Sequence, residues 1–225
     1  MEMGVIAGPD TQSMNLVFDF GAVLIDWQPT RLVASHFPEL AATPETAQQA
    51  ARSIFGHADW LGFDRGLLSP ESVVQRTVQR LPLPLDEMRR LVSGIAERLT
   101  PIQETIAVLA DLAQRREQRG DVRLYYLSNM PTPYARTLEK KYAFLAWFDG
   151  GIFSGDVQCS KPDPAIYQLL QSRYELVPAQ TLFVDDLQEN VDVARSLGWG
   201  GLRFVSALQL RSSLANWLPQ LQGDL

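Results

Sequence analysis

The most informative segment of this 225-residue chain is Asn15-Leu16-Val17-Phe18-Asp19-Phe20-Gly21-Ala22-Val23-Leu24. Its apolar run predicts a buried strand that stops abruptly at the carboxylate of Asp19. Because α/β proteins place ligands and chemistry at the carboxyl edge of a parallel sheet, Asp19 is a candidate catalytic group. Two residues later, Gly21 allows the backbone to approach a ligand closely.

Composition is that of a soluble globular chain, long enough for one large domain or for a core with an insert. Hydrophobic residues make up 46% of the chain and charged residues 20%, which are the proportions of a folded protein. The net charge of −6 argues against a broad surface for polyanions. The sequence therefore predicts no nucleic-acid partner and no membrane partner.

The single cysteine, Cys159, excludes an intramolecular disulfide and any cysteine-rich metal site, which favours a cytoplasmic location. Residues 1–13 lack the features of a signal peptide, and no apolar stretch approaches the roughly 20 residues of a membrane span. We interpret residues 1–13 as a flexible N-terminal extension, because Met14 directly precedes the first strand.

Strands alternate with helices along most of the chain. Apolar runs predict strands at Leu16–Phe18, Val122–Leu127, Gly151–Phe153, Thr181–Val184 and Gly201–Val205. Apolar residues at helical spacing predict helices at Ile102–Arg119, Ala165–Arg173, Glu189–Leu197 and Ser206–Leu221. This alternation predicts an α/β fold, with a Rossmann-like three-layer core around a parallel sheet.

The segment 30–99 breaks that alternation, since it shows helical patterns and Pro/Gly punctuation without a convincing strand. We interpret it as an inserted α-helical cap that leaves the sheet directly after the Asp19 strand and lies over the site. The core then comprises residues 14–29 and 100–225. Trp27 and Trp60 are candidates to line the entrance between core and cap.

Polar side chains follow two more predicted strands at the same edge of the sheet. Ser128 and Asn129 are suited to hold a phosphoryl oxygen, although such residues also commonly cap helices. Asp185 and Asp186 are adjacent carboxylates, which are costly to ionise side by side without a cation. Mg²⁺ is the natural candidate, because it prefers oxygen ligands and often uses only one or two carboxylates.

One lysine stands out, because the chain contains 17 Arg but only three Lys and two of those form the pair Lys140-Lys141. Lys161 supplies a compact point charge suited to a carboxylate or phosphate. Its alternative interpretation is a surface lysine ahead of a proline-started helix.

Four signals follow one another along the chain: Asp19, Ser128-Asn129, Lys161 and Asp185-Asp186. In this order they resemble the four motifs of the haloacid dehalogenase-like hydrolase superfamily. The resemblance runs over about residues 15–205. The insert looks like the helical cap of that superfamily. Residues 18–26, together with Trp60 and Asp64-Arg65-Gly66, look like the subgroup of sugar-phosphate phosphatases such as α-glucose-1-phosphate phosphatase.

The resemblance implies a Mg²⁺-dependent phosphatase that acts on a small phosphorylated metabolite, such as a sugar phosphate, through an aspartyl-phosphate on Asp19. It implies that the protein ligands of Mg²⁺ are Asp19, the backbone carbonyl of Gly21 and Asp186, with Asp185 holding a metal-bound water.

For the phosphoryl group, the resemblance implies two further roles. Ser128 and Asn129 would hold one of its oxygens. Lys161 would bridge the nucleophile and the phosphate.

The sequence departs from the superfamily pattern at Gly21, where most of its phosphatases carry a second Asp that protonates the leaving oxygen. Such general acid–base help is worth roughly 10²- to 10⁴-fold in rate. Its loss predicts slow turnover, restriction to good leaving groups or a replacement acid. Asp26, Asp59 and Asp64 are candidates for that replacement, although Asp26 suits bracing of the chain and Asp64 suits a turn.

The same departure keeps two alternatives open. The 2-haloacid dehalogenases of the superfamily also lack that Asp and displace halide without a metal, but the pair Asp185-Asp186 has no evident purpose in such a site. A degenerate member that binds a metabolite or a protein partner without turnover is the other alternative. The intact Asp19, Lys161 and Asp186 count against it.

Overall fold

A computed structural model describes residues 13–218 of the chain. The predicted flexible extension therefore lies outside the described residues, except for Ser13. Residues 219–221, the end of the predicted terminal helix, also lie outside them.

A five-stranded parallel sheet forms the centre of the fold, in the order β3-β2-β1-β4-β5. The strands are β1 (Met14–Phe18), β2 (Val122–Ser128), β3 (Gly150–Phe153), β4 (Thr181–Asp185) and β5 (Gly200–Arg203). In the central strand, Phe18 pairs with Tyr126 of β2 and with Val184 of β4. This register brings the carboxyl ends of β1, β2 and β4, and the polar residues that follow them, to one edge.

Ten α-helices accompany the sheet within residues 13–218. They are α1 (Pro29–His36), α2 (Pro44–Phe55), α3 (Ala58–Asp64), α4 (Pro70–Arg80), α5 (Leu85–Arg98), α6 (Gln103–Arg119), α7 (Thr132–Lys141), α8 (Pro164–Tyr174), α9 (Gln188–Ser196) and α10 (Ala207–Trp217). No helix in this part of the chain combines the length and the apolar character needed to cross a membrane.

Alternate side chains of β1 pack into two different hydrophobic layers, one on each face of the sheet. Leu16 and Phe18 belong to a large cluster that includes buried residues of α6, α7 and α10. Val17 belongs to a second cluster with buried residues of α8 and α9. A parallel sheet covered on both faces requires strands that are apolar throughout, which explains the unbroken run Leu16–Phe18. The prediction of a three-layer α/β core is confirmed.

Helices α1 to α5 occupy the chain between β1 and α6, where the sequence shows no strand pattern. Each buries one face in the same large cluster that covers the sheet, for example through Val33, Ile54, Val73 and Leu91. We propose that these five helices form the cap predicted at residues 30–99, with its first helix starting at Pro29.

Helix α7 was not among the predicted helices. Pro131 and Pro133 stand at its start, and prolines often indicate a loop. In the first turn of a helix, however, the missing N–H has no intrahelical partner to lose, so proline fits there. Tyr134 of α7 donates a hydrogen bond of 2.7 Å from its hydroxyl to the Val92 carbonyl of α5, which joins core to cap.

A close backbone approach fastens the end of α3 to the loop after β3. Gly66 has a φ of +70°, and an added Cβ there would lie 2.4 Å from the Gly155 carbonyl oxygen. Beside it, the Ser154 hydroxyl donates a hydrogen bond of 2.5 Å to the Asp64 carbonyl oxygen. The segment that follows α3 is therefore held against the core through backbone atoms.

Gly66→Ala should lower the free energy of unfolding by about 3 kcal/mol, because the left-handed backbone penalises alanine and the new methyl group overlaps Gly155. Gly120→Ala is the matched control. Gly120 has a φ of +66° but no atom within 4 Å of an added Cβ, so only the backbone cost of about 1 kcal/mol applies. Urea denaturation measures both losses, and equal losses would contradict a role for the close approach.

Candidate active site

A buried lysine joins two carboxylates at the carboxyl edge of the sheet. Lys161 Nζ lies 2.8 Å from Asp19 Oδ1 and 2.6 Å from Asp185 Oδ2, and 2% of the lysine side chain is exposed. Desolvation alone would lower the pKa of Lys161, but the two carboxylates raise it above its usual value. Lys161 is therefore a buried ammonium group, and the alternative of a surface lysine is wrong.

Asn129 holds Lys161 in place, a role that the sequence did not predict. Its Nδ2 donates to the Lys161 carbonyl oxygen at 2.9 Å, and its Oδ1 accepts from the Lys161 N–H at 2.8 Å. The side chain thereby clamps the lysine loop to the end of β2. Ser128 lowers the pKa of the nearby Asp19 carboxyl group. That these two residues bind phosphate stays a prediction.

Asp19 is a buried carboxylate, and one of its oxygens lacks a well-aligned hydrogen-bond donor. Desolvation raises its pKa to about 7, while Lys161 lowers the pKa, Asp185 raises it and Ser128 lowers it. Asp19 Oδ1 contacts Lys161 as an ion pair but has no aligned hydrogen-bond donor. Because a buried polar atom without such a partner is costly, this oxygen is suited to meet a ligand.

Three carboxylates of the site lie close enough to share a cation, since oxygens of Asp19, Asp185 and Asp186 lie within 4.8 Å of one another. The Asp185 oxygens already accept hydrogen bonds from Lys161, from the Leu187 N–H and from the Asn190 amide. The Asp185 oxygens are therefore already used by protein donors, so Asp185 is better suited to hold Lys161 in place than to bind a metal directly.

The carboxylate of Asp186 is different, because it accepts no hydrogen bond from another residue within the described part of the chain. Burial and then the neighbouring Asp185 raise its pKa. Together with the carboxylate of Asp19, the carboxylate of Asp186 provides the hard oxygen donors that Mg²⁺ prefers. The residues present therefore fit the predicted metal.

A cavity of about 400 Å³ opens between this edge of the sheet and helices α1 to α5. Its floor is polar and includes Asp19, Ser128, Lys161 and Asp186. Its wall is mainly apolar and includes Ile25, Trp27, Phe55, Trp60, Ile95 and Met130. Both tryptophans named from the sequence thus line the cavity between core and cap.

The three candidates for the missing acid occupy different places. Asp59 is an ion-pair partner of Arg76 at 3.4 Å and does not line the cavity. Asp26 accepts a hydrogen bond of 2.7 Å from Gln28 Nε2 and lines a separate surface pocket. Asp64 lines the cavity together with Asp19.

Comparison with known proteins identifies the family. A family model described as haloacid dehalogenase-like hydrolase matches residues 16–198. The chain belongs to the haloacid dehalogenase-like hydrolases. The finer placement in the subgroup of α-glucose-1-phosphate phosphatase stays a prediction.

Relatives and solved structures cover nearly the whole chain. Sesquiterpene phosphatase AstK of Aspergillus oryzae is 26% identical over 85% of this chain and 90% of its own length. A haloacid dehalogenase family enzyme of Bacteroides thetaiotaomicron, in complex with magnesium and inorganic phosphate, has a TM-score of 0.64 at 20% identity, over 84% of this chain and 93% of that one. L-2-haloacid dehalogenase of Xanthobacter autotrophicus has a TM-score of 0.60 at 21% identity, and the match covers 93% of this chain and 86% of that one. At such identities the two solved structures show the fold alone.

Lys161→Met should lower the free energy of unfolding by about 3 kcal/mol or more in EDTA at pH 7.5, because it leaves two buried carboxylates without their cation. Lys141→Met is the matched control, since Lys141 makes a surface pair with Glu97 at 3.3 Å and its loss should cost less than about 1 kcal/mol. Urea denaturation compares them, and a small loss at position 161 would contradict the importance of the buried cluster.

Proposed function

We propose that this protein is a Mg²⁺-dependent phosphatase that hydrolyses a small phosphate monoester through an aspartyl-phosphate on Asp19. The observation that carries the proposal is the buried Asp19–Lys161–Asp185 cluster, with the free carboxylate of Asp186 beside it. A fixed ammonium group and clustered oxygen donors suit a substrate whose anionic charge must be neutralised during reaction.

In this mechanism Asp19 attacks phosphorus and the bond from phosphorus to the ester oxygen breaks. Lys161, 2.8 Å from Asp19 Oδ1, stays protonated and offsets the negative charge on both reactants. Asp185 and Asn129 keep the ammonium group in position. Ser128 lowers the pKa of Asp19 and so favours the ionised nucleophile. Catalysis therefore rests on positioning and electrostatics.

Asp19, the Gly21 carbonyl and Asp186 would hold Mg²⁺, which supplies further positive charge next to the nucleophile and the phosphoryl group. Asp186 is the residue that favours a phosphatase over a dehalogenase. A metal-free displacement at carbon has no use for a second, partly buried carboxylate beside the nucleophile.

The wall of the cavity favours an apolar organic group on the substrate, in place of the sugar expected from the subgroup resemblance. Sugar hydroxyls would face Ile25, Trp27, Phe55 and Ile95, where each unpaired hydroxyl costs about 1–3 kcal/mol. The hydroxyl of Tyr134 is already hydrogen-bonded within the protein. The activity named for the Aspergillus oryzae relative, on a sesquiterpene phosphate, supports this choice.

Asp19→Asn should reduce phosphate release by at least about 10³-fold, because the neutral amide cannot attack phosphorus. Excess EDTA should have a comparable effect, and added Mg²⁺ should reverse it. Asp26→Asn is the control, since Asp26 lies outside the cavity and should keep its activity.

The outcomes of that assay also separate the alternatives. EDTA-insensitive halide release from 2-chloropropionate would replace the phosphatase by a dehalogenase. Stabilisation by a phosphate ester without any release of phosphate would favour a binding protein.

Phe55→Ser should lower kcat/KM for farnesyl monophosphate about tenfold, because a buried aromatic contact is worth about 1.5 kcal/mol or more. The value for glucose 1-phosphate should change less than about twofold. Leu67→Ser is the control, because Leu67 lies on the cap surface and is 51% exposed. Faster hydrolysis of glucose 1-phosphate than of the farnesyl ester by the wild type would support the sugar-phosphate prediction instead.

A further inference from the structure

One acid in the cavity has no part in the mechanism described so far. Asp64 ends α3 and lines the same cavity as Asp19 and Gly21. We infer that Asp64 is the general acid and base of this enzyme, acting from the cap in place of a carboxylate at Gly21. This inference rests on the proposed phosphatase function.

The other titratable groups that line the cavity already have roles or partners. Asp19 is the nucleophile, Asp186 is a proposed metal ligand, and Lys161 is paired with two carboxylates. The Tyr134 hydroxyl donates to the Val92 carbonyl at 2.7 Å. Asp64 is the remaining acid among the described residues that line the cavity.

The fold fixes the backbone of Asp64, a residue that lines the cavity. The buried Ser154 hydroxyl donates to the Asp64 carbonyl oxygen and also accepts from the Met130 N–H at 2.9 Å. Two residues on, Gly66 packs against Gly155. The acid is therefore attached to the core that carries the nucleophile, although it belongs to a cap helix.

The surroundings of Asp64 suit a group that exchanges protons. Desolvation raises its pKa to about 7, against the effect of a hydrogen bond from the Trp60 side chain. A pKa near the working pH is best for a group that must both donate and accept a proton. No cation in the described part of the chain forms an ion pair with Asp64. The adjacent Arg65 donates instead from its Nε to the Leu61 carbonyl oxygen at 3.2 Å.

Two proton transfers complete the reaction. When the ester bond breaks, the neutral carboxyl of Asp64 gives its proton to the leaving oxygen, which departs as an alcohol. The resulting carboxylate then takes a proton from water as the water oxygen attacks phosphorus. The bond from phosphorus to Asp19 breaks, inorganic phosphate leaves, and both aspartates return to their starting states.

The decisive test compares esters with poor and good leaving groups in Asp64→Asn. For an alkyl phosphate, kcat/KM should fall about 10²-fold or more, since the alkoxide needs the proton. For 4-nitrophenyl phosphate, kcat/KM should fall less than about fivefold. Loss of the base should still slow the second step, giving a burst of nitrophenolate and an acid-stable phosphoenzyme.

Asp59→Asn is the matched control, because Asp59 is a cap acid outside the cavity that pairs with Arg76. It should leave both esters unaffected. Equal losses on the two esters in Asp64→Asn, or no loss on either, would overturn the assignment while the phosphatase stands. Absence of phosphate release from any ester by the wild type would overturn both.

A measurement that needs no turnover checks the environment of Asp64. Its pKa is raised in the folded protein, so its ionisation destabilises the fold as pH rises from about 4 through about 7. Asp64→Asn should therefore raise the Tm in EDTA at pH 8 and raise it less at pH 5. Tyr134 lies near Asp64, and the other titratable groups that line the cavity are Asp19, Asp186 and Lys161. All four are unchanged in this variant. No gain at pH 8 would contradict the desolvated carboxylate that the inference requires.

Discussion

The catalytic edge depends on one ammonium group placed between two carboxylates. Without Lys161, Asp19 and Asp185 would be like charges buried side by side, and at least one would have to take up a proton. The sheet makes the cluster, because parallel pairing sets the ends of β1 and β4 level and Asn129 after β2 clamps the backbone of the lysine. The apolar strands that stabilise the core thus also define where charge can be buried.

Above this cluster the lining of the cavity changes from charged to apolar side chains. Its floor is crowded with charge, whereas Trp27, Phe55 and Ile95 turn hydrocarbon towards the same space. Asp64 lines the same cavity. An ester with a charged phosphate at one end and an apolar organic group at the other matches that division.

Sequence patterns predicted the parts of the site that follow strands and failed where a role depends on tertiary contacts. Asp19 and Asp185-Asp186 were predictable because an acid directly after an apolar strand is conspicuous, and the sheet order brings those ends together. The role of Asn129 in holding Lys161 was not predictable, because its contacts are backbone groups 32 residues away. Asp64 resembles a turn residue in sequence, since its place in the cavity comes from the docking of α3 on Ser154 and Gly155.

The hydrophobic cluster that runs from the sheet into helices α1 to α5 links substrate choice to evolution of the fold. Residues such as Trp60 and Ile95 belong to that cluster and also line the cavity. A substitution that reshapes the wall for a new ester therefore also removes packing from the structural core. New specificities in this lineage should arise together with compensating substitutions elsewhere in the core, because a marginally stable chain tolerates few such losses at once.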